Sequence, residues 1–257
     1  PRQSVYRSAI GYAGFKEGKE FQTEYPALQR IQQQWGQNAC AGCWFESMSE
    51  LHRPEYNPHV NSRTQTWLNA AGNPSSQQTF SYDLYNNVTS ETLYDYGGAE
   101  IRTTATSYNY TAAAIGTSAP GVPDGTPVAH LRSLVDTVEV RRSGVVKARH
   151  SLEYDQYDTL NGHAPLLTYS SPAGYQAPPG ARGNVTTWKW WLAEQSRYLN
   201  AALQYDQLGN VVKVINPRGY ATAFEYGSAY QYAYVTRQTN PLAQSVLWTY
   251  MTGSGQV

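Results

Sequence analysis

The chain has 257 residues, with 19 basic and 19 acidic side chains and a formal net charge of zero. Charged residues make up 15% of it, against roughly a quarter in an average soluble domain. Such a chain carries no basic stripe for nucleic acid or an anionic bilayer, and no apolar run approaches the ~20 residues of a membrane-spanning helix.

In chain order, Val5 to Glu20 carries Gly11, Gly14 and Gly18 and reads as short strands with turns. Leu28, Ile31 and Trp35 have helical spacing behind Pro26, but Gln29, Ile31, Gln33 and Trp35 also fall on one side of a strand. A strand is expected there. His52 to Pro58 is Pro-rich and reads as a loop or edge. Thr64–Ala70 and Gln78–Tyr82 flank Gly72-Asn73-Pro74, a hairpin signal. Ile115 to Pro127 is the clearest long loop, with Gly and Pro in quick succession. Leu134–Val140 and Val145–Tyr154 flank Ser143-Gly144, another hairpin. Tyr169 to Gly183 is a second Pro/Gly-rich stretch, and Thr186–Leu192 with Arg197–Tyr205 make a further hairpin. Arg141-Arg142 with Lys147 and Arg149 reads as the solvated face of its hairpin. No linker divides the chain, so residues 1–257 are expected to be one domain.

The strip from Leu203 to Tyr226 is the most informative. It reads as strand, tight turn, strand, second tight turn and third strand. Asn216-Pro217, followed by Phe224 and Tyr226, recurs as Asn240-Pro241, followed by Trp248 and Tyr250, each pair displaced by 24. Phe80 to Val88 lies over Leu203 to Val211 at a displacement of 123, with Asp83 on Asp206, Asn86 on Gly209 and Asn87 on Asn210. Gly183-Asn184-Val185 repeats Gly209-Asn210-Val211 at a displacement of 26. A period in the twenties indicates an array.

Each residue type in this unit has a physical reason. Asp206 can accept backbone N–H groups two residues on, which starts a turn. Gly209 suits a left-handed position, and Asn86 is the next best residue there. The combination reads as a type I turn closed by a G1 bulge. Pro217 presets φ at the second position of the following turn and Gly219 suits its end.

These residues resemble the tyrosine-aspartate (YD) repeat proteins, also called rearrangement-hotspot repeat proteins. The resemblance runs most strongly from Thr103 to Tyr250, through Ser107-Tyr108-Asn109-Tyr110, Glu153-Tyr154-Asp155, Arg182 to Thr186, Tyr205 to Val212 and Asn216 to Gly219; Gln78 to Thr89 fits as well. Residues 1–60 fit loosely. The resemblance implies an all-β fold of tandem antiparallel hairpins in a curved or spiral sheet, a section of a hollow shell. In bacterial relatives such a shell encloses a toxic segment, and in teneurins it serves adhesion. The self-cleavage region of the bacterial members is not found here, because Asn216-Pro217 and Asn240-Pro241 are ordinary repeat turns with Asn in place of Asp. A chain of 257 residues is small for a closed shell, and Pro1 in place of Met fits a trimmed chain, so a section of a longer protein is expected.

Candidate chemistry is sparse. Cys40-Ala41-Gly42-Cys43 is the sole cysteine pair. Its spacing admits a local disulfide or structural turn, free thiols, or half of a zinc site completed by His52 and His59. His130, His150 and His163 read as ordinary surface or packing residues. Adjacent strand positions face opposite sides, so no Tyr-Asp pair is a dyad by itself. The sequons at Asn87, Asn109 and Asn184 are about what chance supplies in a chain this rich in Asn, Ser and Thr.

The expectation is therefore a non-catalytic structural scaffold with no cofactor and no metal. It would be secreted or at a cell surface, bacterial, and would enclose or present a cargo such as a toxin. Its partners would be further repeats of the same chain or other copies, without nucleic acid or membrane insertion. The alternative is an extracellular adhesive or self-assembling filament subunit, with Trp188, Trp190 and Trp191 as candidate glycan or protomer contacts. Aligned tyrosine rings should contribute ~0.2–1 kcal/mol per cross-strand pair. The unpaired outer strands should recruit others, so the isolated chain is expected to associate.

Overall fold

A computed structural model describes residues 2–6, 14–16, 18–38, 47–48, 55–109, 131–169, 181–251 and 255. Among them are fifteen β-strands and three 3-10 segments of three residues each. The paired strands are antiparallel, and each pairs with its neighbours in the sequence. The all-β expectation of tandem hairpins holds. Cys40, Cys43, His52, His130 and the Ile115–Pro127 loop lie outside the described residues.

The chain divides into two compact units, Pro1–Ser107 with Val138–Arg149, and Tyr108–Thr137 with His150–Val257. The first contains β1 (Gln3–Tyr6), β2 (Glu20–Tyr25), β3 (Gln29–Gln37), β4 (Pro58–Trp67), β5 (Ser75–Tyr82), β6 (Val88–Tyr94) and most of β7 (Glu100–Tyr108). The second contains β10 (Val185–Leu192), β11 (Arg197–Tyr205), β12 (Val211–Ile215), β13 (Ala221–Tyr226), β14 (Val235–Thr239) and β15 (Ser245–Leu247). Residues of β8 (Val135–Arg142) and β9 (Val145–Tyr154) fall in both. Within each unit, strand order is chain order.

Strand formation overrides helical spacing at Ile31 and Trp35, with Leu28 in the turn before β3. Gln29 to Gln37 pairs along its whole length with β4, and the Trp35 indole Nε1 donates to the Glu20 carbonyl at 2.9 Å. Pro58 opens β4, a position where its missing N–H does little harm. Ser143 and Gly144 both have positive φ, 50° and 76°, as a two-residue type I′ hairpin requires.

Buried apolar side chains are few. Among the described residues they are Phe15, Ala201, Ala202 and Tyr205. Most strand residues are half-buried on both faces, as along β6 and β12. Most domains bury a sheet face against a second layer. Here the polar side chains Thr186, Thr187 and Asp206 are the most deeply buried groups, so backbone ladders and specific polar contacts carry an unusual share of the stability.

Candidate functional site

The recurring feature is a turn held by one side chain. Asp206 Oδ1 accepts the N–H of Leu208 at 2.9 Å and of Asn210 at 2.8 Å, and Oδ2 accepts Asn210 Nδ2 at 2.9 Å. Asp83 does the same with Tyr85 N, Asn87 N and Asn87 Nδ2 at 2.8, 2.9 and 2.8 Å. Asn216 Oδ1 takes Arg218 N and Tyr220 N at 2.9 and 3.1 Å, and Asn240 Oδ1 takes Leu242 N and Gln244 N at 3.0 Å each. In all four, the first residue's N–H donates to the carbonyl four residues on, and its carbonyl accepts from the N–H three residues on. Asp95 to Ala99 has that backbone ring too. The fourth position is left-handed throughout: Asn86 at φ 69°, Gly98 at 77°, Gly209 at 92°, Gly219 at 82° and Ala243 at 62°. Pro217 and Pro241 occupy the second position of their turns, where φ near −65° is wanted.

Gly183 and Asn184 belong to a split version of this turn. Gly183 has φ 75°, but the carboxylate over it is that of Asp155. Asp155 Oδ2 accepts Arg182 N and Gly183 N at 2.9 and 2.8 Å, and Oδ1 accepts Asn184 N at 3.1 Å, with the two residues 29 apart. The Asp155 N–H donates to the Asn184 carbonyl at 2.9 Å, as Asp206 does to Asn210. Tyr157 donates its hydroxyl to Asp155 at 2.7 Å and accepts Asn184 Nδ2 at 2.9 Å. Burial, then the Asp155 carboxylate, raises the Tyr157 pKa above its ordinary value. The side-chain nitrogens of Asn87 and Asn184 are thus engaged within their turns.

Five tyrosines close hairpins, three of them directly before the Asp83, Asp155 and Asp206 turns. Tyr82 donates its hydroxyl to the Val60 carbonyl at 2.8 Å, Tyr154 to Val135 at 2.7 Å and Tyr205 to Val185 at 2.8 Å. Tyr226 donates to Val211 at 3.1 Å and Tyr250 to Val235 at 2.7 Å. At Tyr154, Tyr205 and Tyr226 the donor ends the returning arm of a hairpin and the acceptor opens the outgoing arm, whereas Val60 is the third residue of β4 and Tyr250 lies three residues past β15. Three of these valines are also register partners of the preceding tyrosine: Val185 of Tyr154, Val211 of Tyr205, Val235 of Tyr226. Hydroxyl bonds and register pairs therefore alternate along the second unit. Register shifts fall at Tyr82, Tyr205 and Tyr226, and such bulges re-aim side chains. Burial raises the pKa of Tyr82, Tyr154, Tyr205 and Tyr226 above 10.0.

The sequence reading placed the turns but missed these acceptors, since a backbone carbonyl has no residue signature. The recurring Val after Asn87, Asn184 and Asn210 was the available signal. Further side chains stitch neighbouring turns together. Asn38 Nδ2 donates to the Asp83 carbonyl at 2.9 Å and His59 stacks on Tyr82 at 4.1 Å. Arg182 donates to the Gln207 carbonyl at 2.7 Å and Asn210 Nδ2 to the Tyr232 carbonyl at 3.0 Å.

His163 is a buried packing residue. Its Nε2 lies 2.5 Å from Thr187 Oγ1 and its Nδ1 3.2 Å from Asp158 Oδ1. The residue types match a nucleophile, base and orienting carboxylate, but Thr187 is 0% exposed. A substrate carbonyl could not reach that hydroxyl without opening the sheet. Among the described residues no cluster of His, Cys, Asp and Glu could hold a metal ion, and no helix is long and apolar enough to cross a membrane. Trp188 and Trp190 stack at 5.0 Å on one face of β10, with Trp188 45% exposed, while Trp191 meets Tyr198.

No family model matches the chain, and no curated protein matches it. Among solved structures, it is similar to the TcdB2-TccC3-Cdc42 crystal structure at 11% identity and a TM-score of 0.37, covering 93% of this chain and 10% of that one. It is similar to TcdB2-TccC3 without its hypervariable C-terminal region at 12% identity and a TM-score of 0.32, covering 99% and 13%. A porin-like protein from Bacteroides uniformis matches at 12% identity and a TM-score of 0.30, covering 91% and 88%. The chain thus spans about a tenth of the length of the TcdB2-TccC3 chains.

Proposed function

We propose that this chain is a non-catalytic structural scaffold, a section of wall in a secreted or cell-surface YD-repeat shell of a bacterium, enclosing or presenting a cargo such as a toxin. The observation that carries this reading is the tyrosine ladder. Five hairpins are closed by the same hydroxyl-to-carbonyl bond, and Asx turns recur between and within hairpins, so the residues that recur are those that build a sheet. The sparse apolar burial of both units supports a wall, whose faces look onto solvent or contents. Thr187, His163 and Asp158 act in this reading as a pin between the β9–β10 connection and the sheet.

The test uses the protein expressed from its complete gene. Limited proteolysis at neutral pH should leave a cargo segment intact, and the same segment should be cut once the wall is opened at alkaline pH. A cargo cleaved equally fast under both conditions would overturn the enclosing role.

One observation favours association with other copies as a second reading. Leu242, Val246 and Leu247, on and beside β15, are exposed, and among the described residues that strand pairs with β14. Such an edge recruits strands. Electron microscopy separates the two readings, with discrete particles expected for the shell and fibres for the filament.

A further inference from the structure

The chain contains one Asn-Gly pair, Asn161-Gly162, and it makes a turn in the segment that follows β9. Asn161 and Gly162 have φ of 54° and 85°, and the His163 N–H donates to the Leu160 carbonyl at 2.8 Å. These are the marks of a type I′ turn, which favours Asn-Gly because both central residues are left-handed. Packing fixes the glycine as well. A Cβ on Gly162 would lie 3.2 Å from the Cβ of Ala202 and 3.9 Å from Ile215 Cδ1, and Ala202 is buried. Structure therefore demands the pair.

The same pair is the most labile asparagine site in the chain. A backbone nitrogen that loses its proton can attack the carboxamide carbon of the asparagine before it. A glycine nitrogen does so most readily, because no side chain crowds the approach and the backbone is free to turn. Asn57, Asn73, Asn216 and Asn240 precede proline, whose nitrogen has no proton to lose, and the remaining asparagines precede residues with side chains. Asn161 and Gly162 are both exposed. Among the described residues, neither the Asn161 carboxamide nor the Gly162 N–H has a hydrogen-bond partner. The turn itself opposes the reaction. At its first central position ψ is about +30°, which swings the Gly162 nitrogen to the far side of the Cα–C bond from the side chain. Ring closure therefore requires the turn to open. Two contacts resist opening: Gln204 Nε2 donates to the Gly162 carbonyl at 3.1 Å, and His163 is held to Thr187 Oγ1 and Asp158 Oδ1 at 2.5 and 3.2 Å.

We propose that Asn161 is a site of spontaneous deamidation whose rate is set by the His163 pin and by Gln204. The deprotonated Gly162 nitrogen forms a bond to Asn161 Cγ and the Cγ–Nδ2 bond breaks. Nδ2 takes up a proton and leaves as ammonia. Water then opens the five-membered succinimide at either carbonyl, giving aspartate or isoaspartate. Isoaspartate runs the main chain through the side-chain carbon and adds one carbon to a two-residue turn, which displaces His163 from Thr187. Either product places a new negative charge three residues from Asp158. The site is independent of the scaffold reading, because it uses none of the ladder residues.

The test holds the folded chain at neutral pH for weeks, with peptide mass spectrometry locating each converted asparagine and released ammonia measured alongside. Asn161 should convert at least about tenfold faster than any other asparagine. It should also convert at least about tenfold more slowly in the folded chain than in urea, because the turn must open first. Thr187→Val keeps the side-chain shape and removes the partner of His163, and Gln204→Ala removes the second restraint. Each should speed conversion in the folded chain at least about threefold and leave the rate in urea unchanged. Circular dichroism verifies that each variant is folded. Conversion of Asn161 no faster than that of the other asparagines would overturn the proposal. So would equal rates in the folded chain and in urea, or a folded-chain rate unchanged in both variants.

Discussion

Removing one hydroxyl from the ladder should weaken two neighbouring hairpins and leave the rest of the sheet alone. Tyr205→Phe keeps the ring and deletes the bond to the Val185 carbonyl, 2.8 Å long. Tyr205 is 7% exposed, so little water reaches the carbonyl left behind. A typical intramolecular hydrogen bond contributes about 0.5–1.5 kcal/mol, and an unsatisfied buried acceptor costs about 1–3 kcal/mol. The expected loss is thus about 1.5–2 kcal/mol. The control is Tyr220→Phe, whose ring is 57% exposed and whose hydroxyl has no partner among the described residues; it should stay within about 0.5 kcal/mol of wild type. Urea unfolding gives the two midpoints, with an unchanged slope showing that the unfolded state was not altered. Amide exchange gives the location. Because contacts between hairpins are nearest-neighbour, protection should fall in β10, β11 and β12 and hold in β4 and β5. Equal midpoints for the two variants, or a uniform loss of protection, would refute the ladder as a source of stability.

Two further outcomes follow from the same geometry. Ala243→Gly should stabilise the chain by about 0.5–1 kcal/mol, because a left-handed alanine costs about 1–2 kcal/mol and the extra freedom of glycine returns about half of that; a midpoint that falls or stays put would count against the strained turn. Alkaline pH should unfold the chain cooperatively. Tyr82, Tyr154, Tyr205 and Tyr226 have folded pKa values raised by burial, so their contribution is fully present below pH 10 and is lost as pH rises through the higher folded values. Each can steepen the loss by up to about 1.4 kcal/mol per pH unit, which absorbance of tyrosinate against circular dichroism would follow; tyrosines that ionise near pH 10 with the fold intact would contradict the buried hydroxyls.

How much of this was legible in the sequence depends on whether the interaction has a residue signature. The Asp206 and Asp83 turns do, because a short acceptor, a left-handed Gly or Asn and a final Asn are each chemically demanded, and their hydrogen bonds match one for one. Ser143-Gly144 has one for the same reason. The tyrosine acceptors do not, since any residue supplies a carbonyl. The sequence reading expected tyrosine rings to bind strand to strand, whereas the contacts that recur at Tyr82, Tyr154, Tyr205 and Tyr226 are made by hydroxyls. Displacements of 24, 26 and 123 worked only locally because hairpin arms vary. Donor and acceptor lie 22 residues apart at Tyr82, 20 at Tyr205 and 15 at Tyr226. What recurs is the closure, not the length. Gly183-Asn184 was legible as a turn, but its carboxylate was not, because Asp155 stands 29 residues away.

That split turn bears on how such a sheet can be elaborated. Asp206 and Asn210 are four residues apart, and the same carboxylate-to-amide closure survives with the partners 29 apart. Loop-closure entropy grows slowly, as about (3/2)RT ln n, so the longer connection costs roughly 2 kcal/mol. The inserted residues offset this with contacts of their own. Leu167 accepts the Gln207 N–H and donates to the Tyr205 carbonyl, Tyr169 stacks on Tyr232 at 4.1 Å, and His163 reaches Thr187. Asp206, 0% exposed, lies beneath this strap, and burial together with its charge raises the Tyr169 pKa. An Asx turn closed by side chain to backbone bonds is thus a place where chain can be added without disturbing the strands on either side. The Val–Tyr closures of Tyr154, Tyr205 and Tyr226 offer no such freedom, because their donors and acceptors are themselves the ends of the strands.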